Sequence, residues 1–147
     1  MRIVTALILS AALLAASVLL ASTASAREAW NQATVTALAK ELADATKALK
    51  STIRKEPNLR DAYREGDPVV MRYADAINGI ARSARQLAEK LAGGAGYQET
   101  LGVAKKIDSL VREAEVQGAR IMTSVWMEEK LRPVENLLAR LGRYYFD

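Results

Sequence analysis

The stretch DPVVMRYADAINGIARSARQLAEKLAGGAG, residues 67–96, contains the clearest structural pattern in this 147-residue chain. Asp67 followed by Pro68 is typical of a helix start, because aspartate caps the first turn and proline needs no N–H there. The GGAG segment at 93–96 is typical of a helix end and a turn. Between them, apolar residues recur at steps of four and three, which predicts one long amphipathic helix. Its predicted buried face consists of Tyr73, Ile77, Ile80, Ala84, Leu87 and Leu91.

The same helical spacing continues on both sides of this stretch, and no segment alternates with the period of a strand. We predict a first helix over residues 28–55, a third helix over residues 97–120 and a last helix that contains residues 127–145. Amphipathic helices joined by short connections pack best with their apolar faces together. The sequence therefore predicts an all-α fold, an antiparallel up-down-up-down four-helix bundle.

Two connections are less regular than the GGAG turn. Pro57 ends the first helix, and the segment that follows it is rich in turn formers, with room for one helical turn around residues 59–64. Between the third and last helices, a turn at 119–124 would leave Pro133 as a kink in the last helix. Alternatively, the third helix continues to about Lys130 and Pro133 begins a short fourth helix. We favour the turn at 119–124, because helices of matched length cover each other's apolar faces.

The first 26 residues have the composition of a signal peptide. A basic Arg2 precedes a long apolar run, and Ala24-Ser25-Ala26 places small residues at the two positions that a signal peptidase reads. We predict cleavage after Ala26, a single mature domain at 27–147, a periplasmic or secreted location, and no stable membrane span after cleavage. The alternative is an uncleaved membrane anchor, since the run approaches the roughly 20 residues that span a bilayer.

The chain contains no histidine and no cysteine. It therefore lacks the imidazole and thiol groups on which most acid–base catalysis, nucleophilic catalysis, zinc binding and haem ligation depend. We expect no metal, no cofactor and no enzymatic activity, with an enzyme built only on carboxylates, lysine and tyrosine as the one open enzymatic class. The net charge of +4 is mild, and nucleic-acid binders usually concentrate basic charge on one face. We therefore expect no nucleic-acid partner.

A signal peptide followed by four helices resembles the layout of the periplasmic haem cytochromes over the whole of residues 27–147. The resemblance implies the helical architecture alone. The haem-attachment motif and the ligand histidine of that family have no counterpart in this sequence.

The aromatic residues fall into two groups if the four helices alternate in direction. One group is predicted at the end where the first helix begins: Trp30, Tyr97, Tyr144, Tyr145 and Phe146. The other is predicted at the opposite end: Tyr63, Tyr73 and Trp126. Aromatic side chains supply large buried areas, so we interpret both groups as plugs of the core. The alternative is a ligand-binding mouth at one end.

The second helix carries two further candidate surfaces. Small residues such as Ala81 and Ala84 predict close packing against a neighbouring helix or, alternatively, a recess for an apolar ligand. Arg72, Arg82 and Arg85 give the same helix a basic edge that suits phosphate or an acidic partner.

Two functional hypotheses follow. The first is an exported, non-enzymatic protein-interaction or accessory module that binds another envelope protein or a second copy of itself. The second is a carrier that holds an apolar small molecule between its helices. An exposed apolar patch would favour the first, and a recess beside Ala81 and Ala84 the second. The candidate ligand or partner surface comprises Trp30, Arg72, Ala81, Arg82, Ala84, Arg85 and Trp126.

Overall fold

The computed structural model describes residues 27–121 and 124–147, and every regular element in this part of the chain is an α-helix. The all-α prediction is therefore confirmed. The predicted signal peptide, residues 1–26, lies outside the described residues. The helices are α1 (Gln32–Ile53), α2 (Pro57–Arg64), α3 (Pro68–Ala92), α4 (Tyr97–Gly118) and α5 (Val125–Tyr145).

Helix α3 begins and ends where the sequence predicts. One carboxylate oxygen of Asp67 accepts hydrogen bonds from the backbone N–H groups of Val69 and Val70, at 2.8 and 3.1 Å. These bonds satisfy two of the free donors in the first turn. After Ala92 the chain turns through Gly94, whose φ of 89° lies in the left-handed region that glycine adopts most readily.

The boundary between α4 and α5 lies in the predicted turn at 119–124. The hydroxyl of Ser124 accepts a hydrogen bond from the backbone N–H of Met127 at 3.2 Å and caps α5. Pro133 lies inside α5. The alternative, in which a short helix begins at Pro133, is wrong because Ser124 already provides a start two turns earlier.

Helix α2 is longer than the single turn predicted from the sequence. Pro57 not only ends α1 but also occupies the first turn of α2, where a missing N–H costs nothing. Leu59 is 1% exposed and is the one buried residue of this helix. The result is a short fifth helix inserted between two long ones.

Hydrogen bonds at the two ends show the direction of the long helices. Before α1, Glu28 donates its N–H to the carbonyl of Arg143 in the last turn of α5, at 2.7 Å. After α1, the carboxylate of Glu56 accepts from the hydroxyl of Ser124 at the start of α5, at 2.8 Å. Helices α1 and α5 therefore run antiparallel.

Helix α3 lies at the centre of the packing, against α1 on one side and α4 on the other, while α4 and α5 contact each other little. The approach of α3 to α4 is close at Gly79, where an added Cβ would lie 3.0 Å from a methyl carbon of Leu110. Across residues 27–121 and 124–147, no helix has the length and hydropathy that a membrane span needs.

Candidate functional site

The end at which α1 begins is closed by three aromatic rings. Trp30 meets Tyr97 and Tyr145 edge-on, with ring centroids 5.6 and 5.4 Å apart, and the two tyrosine rings stack at 5.7 Å. The hydroxyls of Tyr145 and Thr100 lie 2.8 Å apart and share a hydrogen bond. The predicted grouping is confirmed for these three rings, which pack together as a plug would. We call this end the aromatic end.

The opposite end, which we call the α2 end, is not plugged in the predicted way. Tyr73 is buried, but Trp126 is 41% exposed and Tyr63 is 51% exposed. The plug interpretation is wrong for these two residues. Met127, fully buried, occupies the inward position in the first turn of α5, so its neighbour Trp126 faces outward.

The predicted basic edge of α3 is a solvent-facing surface. Arg72, Arg82 and Arg85 are all exposed. The side-chain N–H of Arg85 donates to the carboxylate of Glu89 at 2.7 Å, so this charge is already partnered by its own helix. This basic edge remains a candidate surface for an acidic partner, and it is not part of a concave site.

The small residues of α3 allow neighbouring helices to pack closely against it. Ala84 is 0% exposed, Ala81 is half-buried, and Gly79 lies against Leu110. Among the described residues, three cavities lie between the helices, and neither alanine lines any of these three. Close packing, the prediction for these residues, agrees with this geometry, and none of these three cavities provides the alternative recess beside Ala81 and Ala84.

We predict that Ala84→Leu destabilises the protein by about 1–3 kcal/mol, because extra methylene groups do not fit a filled seam. Ala81→Leu should cost less, since Ala81 is half-buried. The matched control is Asp75→Leu on the exposed face of the same helix, for which we expect a change within about 0.5 kcal/mol. Urea denaturation measures all three. An Ala84→Leu variant that unfolds no earlier than Asp75→Leu would show that the seam has spare room.

A cavity of about 380 Å³ lies at the α2 end, between the last turn of α1, helix α2 and the first half of α3. We call it the α2 cavity. Its floor is apolar and is formed by Ile53, Leu59, Val70 and Ile77. Small-molecule sites in proteins are mostly apolar clefts of about 300–1,000 Å³. The α2 cavity falls within this range.

The rim of the α2 cavity is basic. It is formed in part by Lys50, Arg54, Arg60 and Arg64, and no acidic residue of the described chain lines the cavity. Arg60 donates a hydrogen bond to the neighbouring carboxylate of Asp61 at 2.9 Å, which lowers the pKa of that carboxyl. Among the described residues, the other three cations form no ion pair.

A second cavity, of about 350 Å³, fills the gap between α4 and α5. We call it the α4–α5 cavity. Its lining is also apolar, but its charged residues are the acids Glu115 and Glu135. Ile77 borders both cavities, so its side chain stands between a basic site and an acidic one.

Tyr73 lines the α4–α5 cavity, and burial, together with the negative charge of Glu135, raises its pKa to about 12. In the unfolded chain this hydroxyl ionises near pH 10. Between the two values only the unfolded state loses the proton, so a rising pH favours unfolding.

We therefore predict that Tyr73 contributes a loss of about 2–3 kcal/mol in stability as the pH rises from about 10 to 12, and none below that window. Denaturation curves at a series of pH values measure it. The Tyr73→Phe variant should lose less stability than the unmodified protein over this pH range. The other tyrosines are present in both proteins, so the difference between them reports on Tyr73. An identical loss in the variant would contradict the assignment to Tyr73.

Sequence reasoning missed the α2 cavity, although a signal was present. Lys50 in the last turn of α1 and its C-cap residue Arg54 are four residues apart, and Arg60 and Arg64 are four apart on α2. Residues at this spacing share a helix face, so each pair presents two like charges in one direction. The two pairs flank Pro57, where the chain folds back and brings them to one cavity.

Among residues 27–121 and 124–147, no group of three or more acidic, histidine or cysteine side chains is placed to hold a metal ion. No protein-family model, no curated protein and no solved structure matches the chain.

Proposed function

We propose that the protein is an exported, non-enzymatic carrier that binds an apolar small molecule in the α2 cavity. In this proposal residues 27–147 form an up-down-up-down four-helix bundle with a plugged aromatic end and a ligand site at the α2 end. The observation that carries the proposal is the cavity itself, about 380 Å³ with an apolar floor. A concave apolar site with a few polar groups at its edge is the usual form of a small-molecule site.

The outer wall of the α2 cavity suits a ligand that must enter and leave. Helix α2 has eight residues and one buried side chain, Leu59. A helix this short has little stability of its own, because helix nucleation is unfavourable. Segments with few buried apolar contacts open at the lowest free-energy cost. Helix α2 is therefore the expected gate.

Titration of the purified protein with the uncharged fluorescent probe N-phenyl-1-naphthylamine tests the carrier proposal. We expect a saturable rise in fluorescence with one probe per chain. A linear rise without saturation, as for partition onto a surface, would contradict the proposal.

A second candidate function is a protein-interaction module, favoured by the distribution of exposed apolar side chains. The large hydrophobic residues that are exposed in the described chain all lie at the α2 end: Tyr63, Met71, Val116, Val125 and Trp126. Exposed apolar patches mark surfaces that associate with other molecules. The partner in this proposal is a second copy of the chain or another envelope protein.

Sedimentation velocity over a range of protein concentrations tests self-association. We expect a dimer that Val125→Glu disrupts and that Gln98→Glu, an exposed change at the aromatic end, leaves intact. A monomer at every concentration would remove the second copy as the partner.

Export is part of both proposals and has its own test. Analysis of the N-terminus of the exported protein should give Arg27 as the first residue, since small residues precede Ala26 as a signal peptidase requires. A retained Met1 would favour the membrane-anchor alternative.

A further inference from the structure

We infer that the α2 cavity binds a single-chain amphiphile with an anionic head group, the hydrocarbon chain on the apolar floor and the head group at the basic rim. The inference rests on the proposed carrier function and adds the chemical class of the ligand. A fatty carboxylate and an alkyl phosphate share this chemistry.

The lining of the α2 cavity is complementary in charge to such a ligand. Within the described part of the chain, its charged side chains are Lys50, Arg54, Arg60 and Arg64, without a single carboxylate. The floor below them is apolar. A ligand that fills such a site completely must be apolar at one end and negatively charged at the other.

The arrangement of these cations also favours an anionic ligand. Like charges four residues apart on a helix destabilise it slightly, yet α2 carries such a pair at this cavity, Arg60 and Arg64. Lys50, in the last turn of α1, and Arg54, the C-cap residue that follows it, add two more positive charges at the same cavity. An anionic head group between the four cations would relieve their repulsion. It would also bridge α1 and α2, closing the gate over the bound chain.

The ion pair between Arg60 and Asp61 does not block this role. Both side chains are about half exposed, at 47% and 58%, and exposed ion pairs contribute little to stability. The guanidinium has further N–H donors available for a head group. Arg60 can therefore turn toward the ligand at small cost.

The α4–α5 cavity provides an internal contrast. Its volume is similar, about 350 Å³, and its lining is similarly apolar, but its charged residues are Glu115 and Glu135. An anionic head group would be repelled there. Charge, rather than volume, therefore selects the α2 cavity for an anionic amphiphile.

Calorimetric titration of the intact protein with four ligands of equal chain length tests the inference. The ligands are dodecanoate, dodecyl phosphate, dodecanol and dodecylammonium, each below its aggregation concentration. We expect the two anions to bind about tenfold or more tightly than dodecanol, through several partly exposed charge contacts, and dodecylammonium to bind most weakly. The tighter of the two anions identifies the head group.

The outcomes separate the two proposals. Equal affinity for dodecanoate and dodecanol would overturn the anionic head group and leave the carrier standing. Binding of none of the four ligands would overturn the carrier as well. Preference for dodecylammonium would contradict the inference and would indicate binding in the α4–α5 cavity, whose charged residues are acidic.

Arginine variants locate the head group. Arg54→Gln and Arg64→Gln should each weaken dodecanoate binding severalfold and leave dodecanol binding unchanged, which also reports that the cavity is intact. The matched control is Arg140→Gln, an exposed arginine near the aromatic end that lines none of the cavities. Equal affinities for dodecanoate in all three variants would overturn the inference.

Discussion

Replacement of Tyr145 by alanine is expected to lower the free energy of unfolding by about 3–5 kcal/mol, the range measured when large aromatic side chains are removed from cores. Tyr145 is 3% exposed and contacts both Trp30 and Tyr97. Aromatic pairs of this kind add to the burial of apolar area. The variant therefore removes the centre of the plug at the aromatic end.

Tyr145→Phe is the matched control, because it keeps the ring and removes only the hydroxyl. The hydroxyl of Thr100 would retain its hydrogen bond to the carbonyl of Gly96, at 2.7 Å. We therefore expect a loss of only about 1 kcal/mol for the phenylalanine variant. Chemical denaturation measures both proteins. If the alanine and phenylalanine variants unfold together, the three rings do not form a plug.

The aromatic end could be predicted from the sequence because it depends on helix order alone. Once four amphipathic helices alternate in direction, Trp30 and Tyr145 must share an end, whatever the details of packing. The ring centroids of Trp30 and Tyr145 are 5.4 Å apart, as the alternating helices predict.

The α2 end could not be predicted in the same way. Which side chains face the core there depends on how each helix is rotated about its own axis, and the irregular turns before the helices set that rotation. Adjacent positions on a helix point about 100° apart, so the choice between Trp126 and Met127 as the inward residue depends on where α5 begins. Periodicity favoured Met127 for the apolar face. The aromatic grouping nevertheless placed Trp126 in the core, and the structure exposes it.

Pro57 illustrates why the α2 cavity was missed. Proline ends a helix when it lies in the interior and favours a helix when it lies in the first turn. From the sequence, Pro57 predicts only the end of the first helix. Without α2 as a wall, the cations on α1 and those beyond Pro57 have no common site.

Ala74→Trp is expected to weaken ligand binding in the α2 cavity by about 100-fold. Ala74 lines this cavity and is half-buried, so the indole would occupy space that the ligand needs. Displacement of about ten ligand atoms at about 0.3 kcal/mol each amounts to about 3 kcal/mol, which corresponds to that factor.

The matched control is Ala119→Trp, which places the same side chain at the α4–α5 cavity. We expect it to leave binding of the probe and of dodecanoate unchanged. Ala74→Trp should not destabilise the fold, because the new ring enters an existing cavity. If Ala119→Trp abolishes binding and Ala74→Trp does not, the ligand occupies the α4–α5 cavity.

The central claim is that the α2 cavity is the ligand site, and amide chemical-shift mapping of the protein during titration with dodecanoate tests it most directly. We predict saturable shifts at the last turn of α1, in α2 and in the first half of α3, including Leu59 and Ala74, and little change around Trp30 and Tyr145. Shifts confined to α4 and α5, or no saturable shifts at all, would contradict the claim.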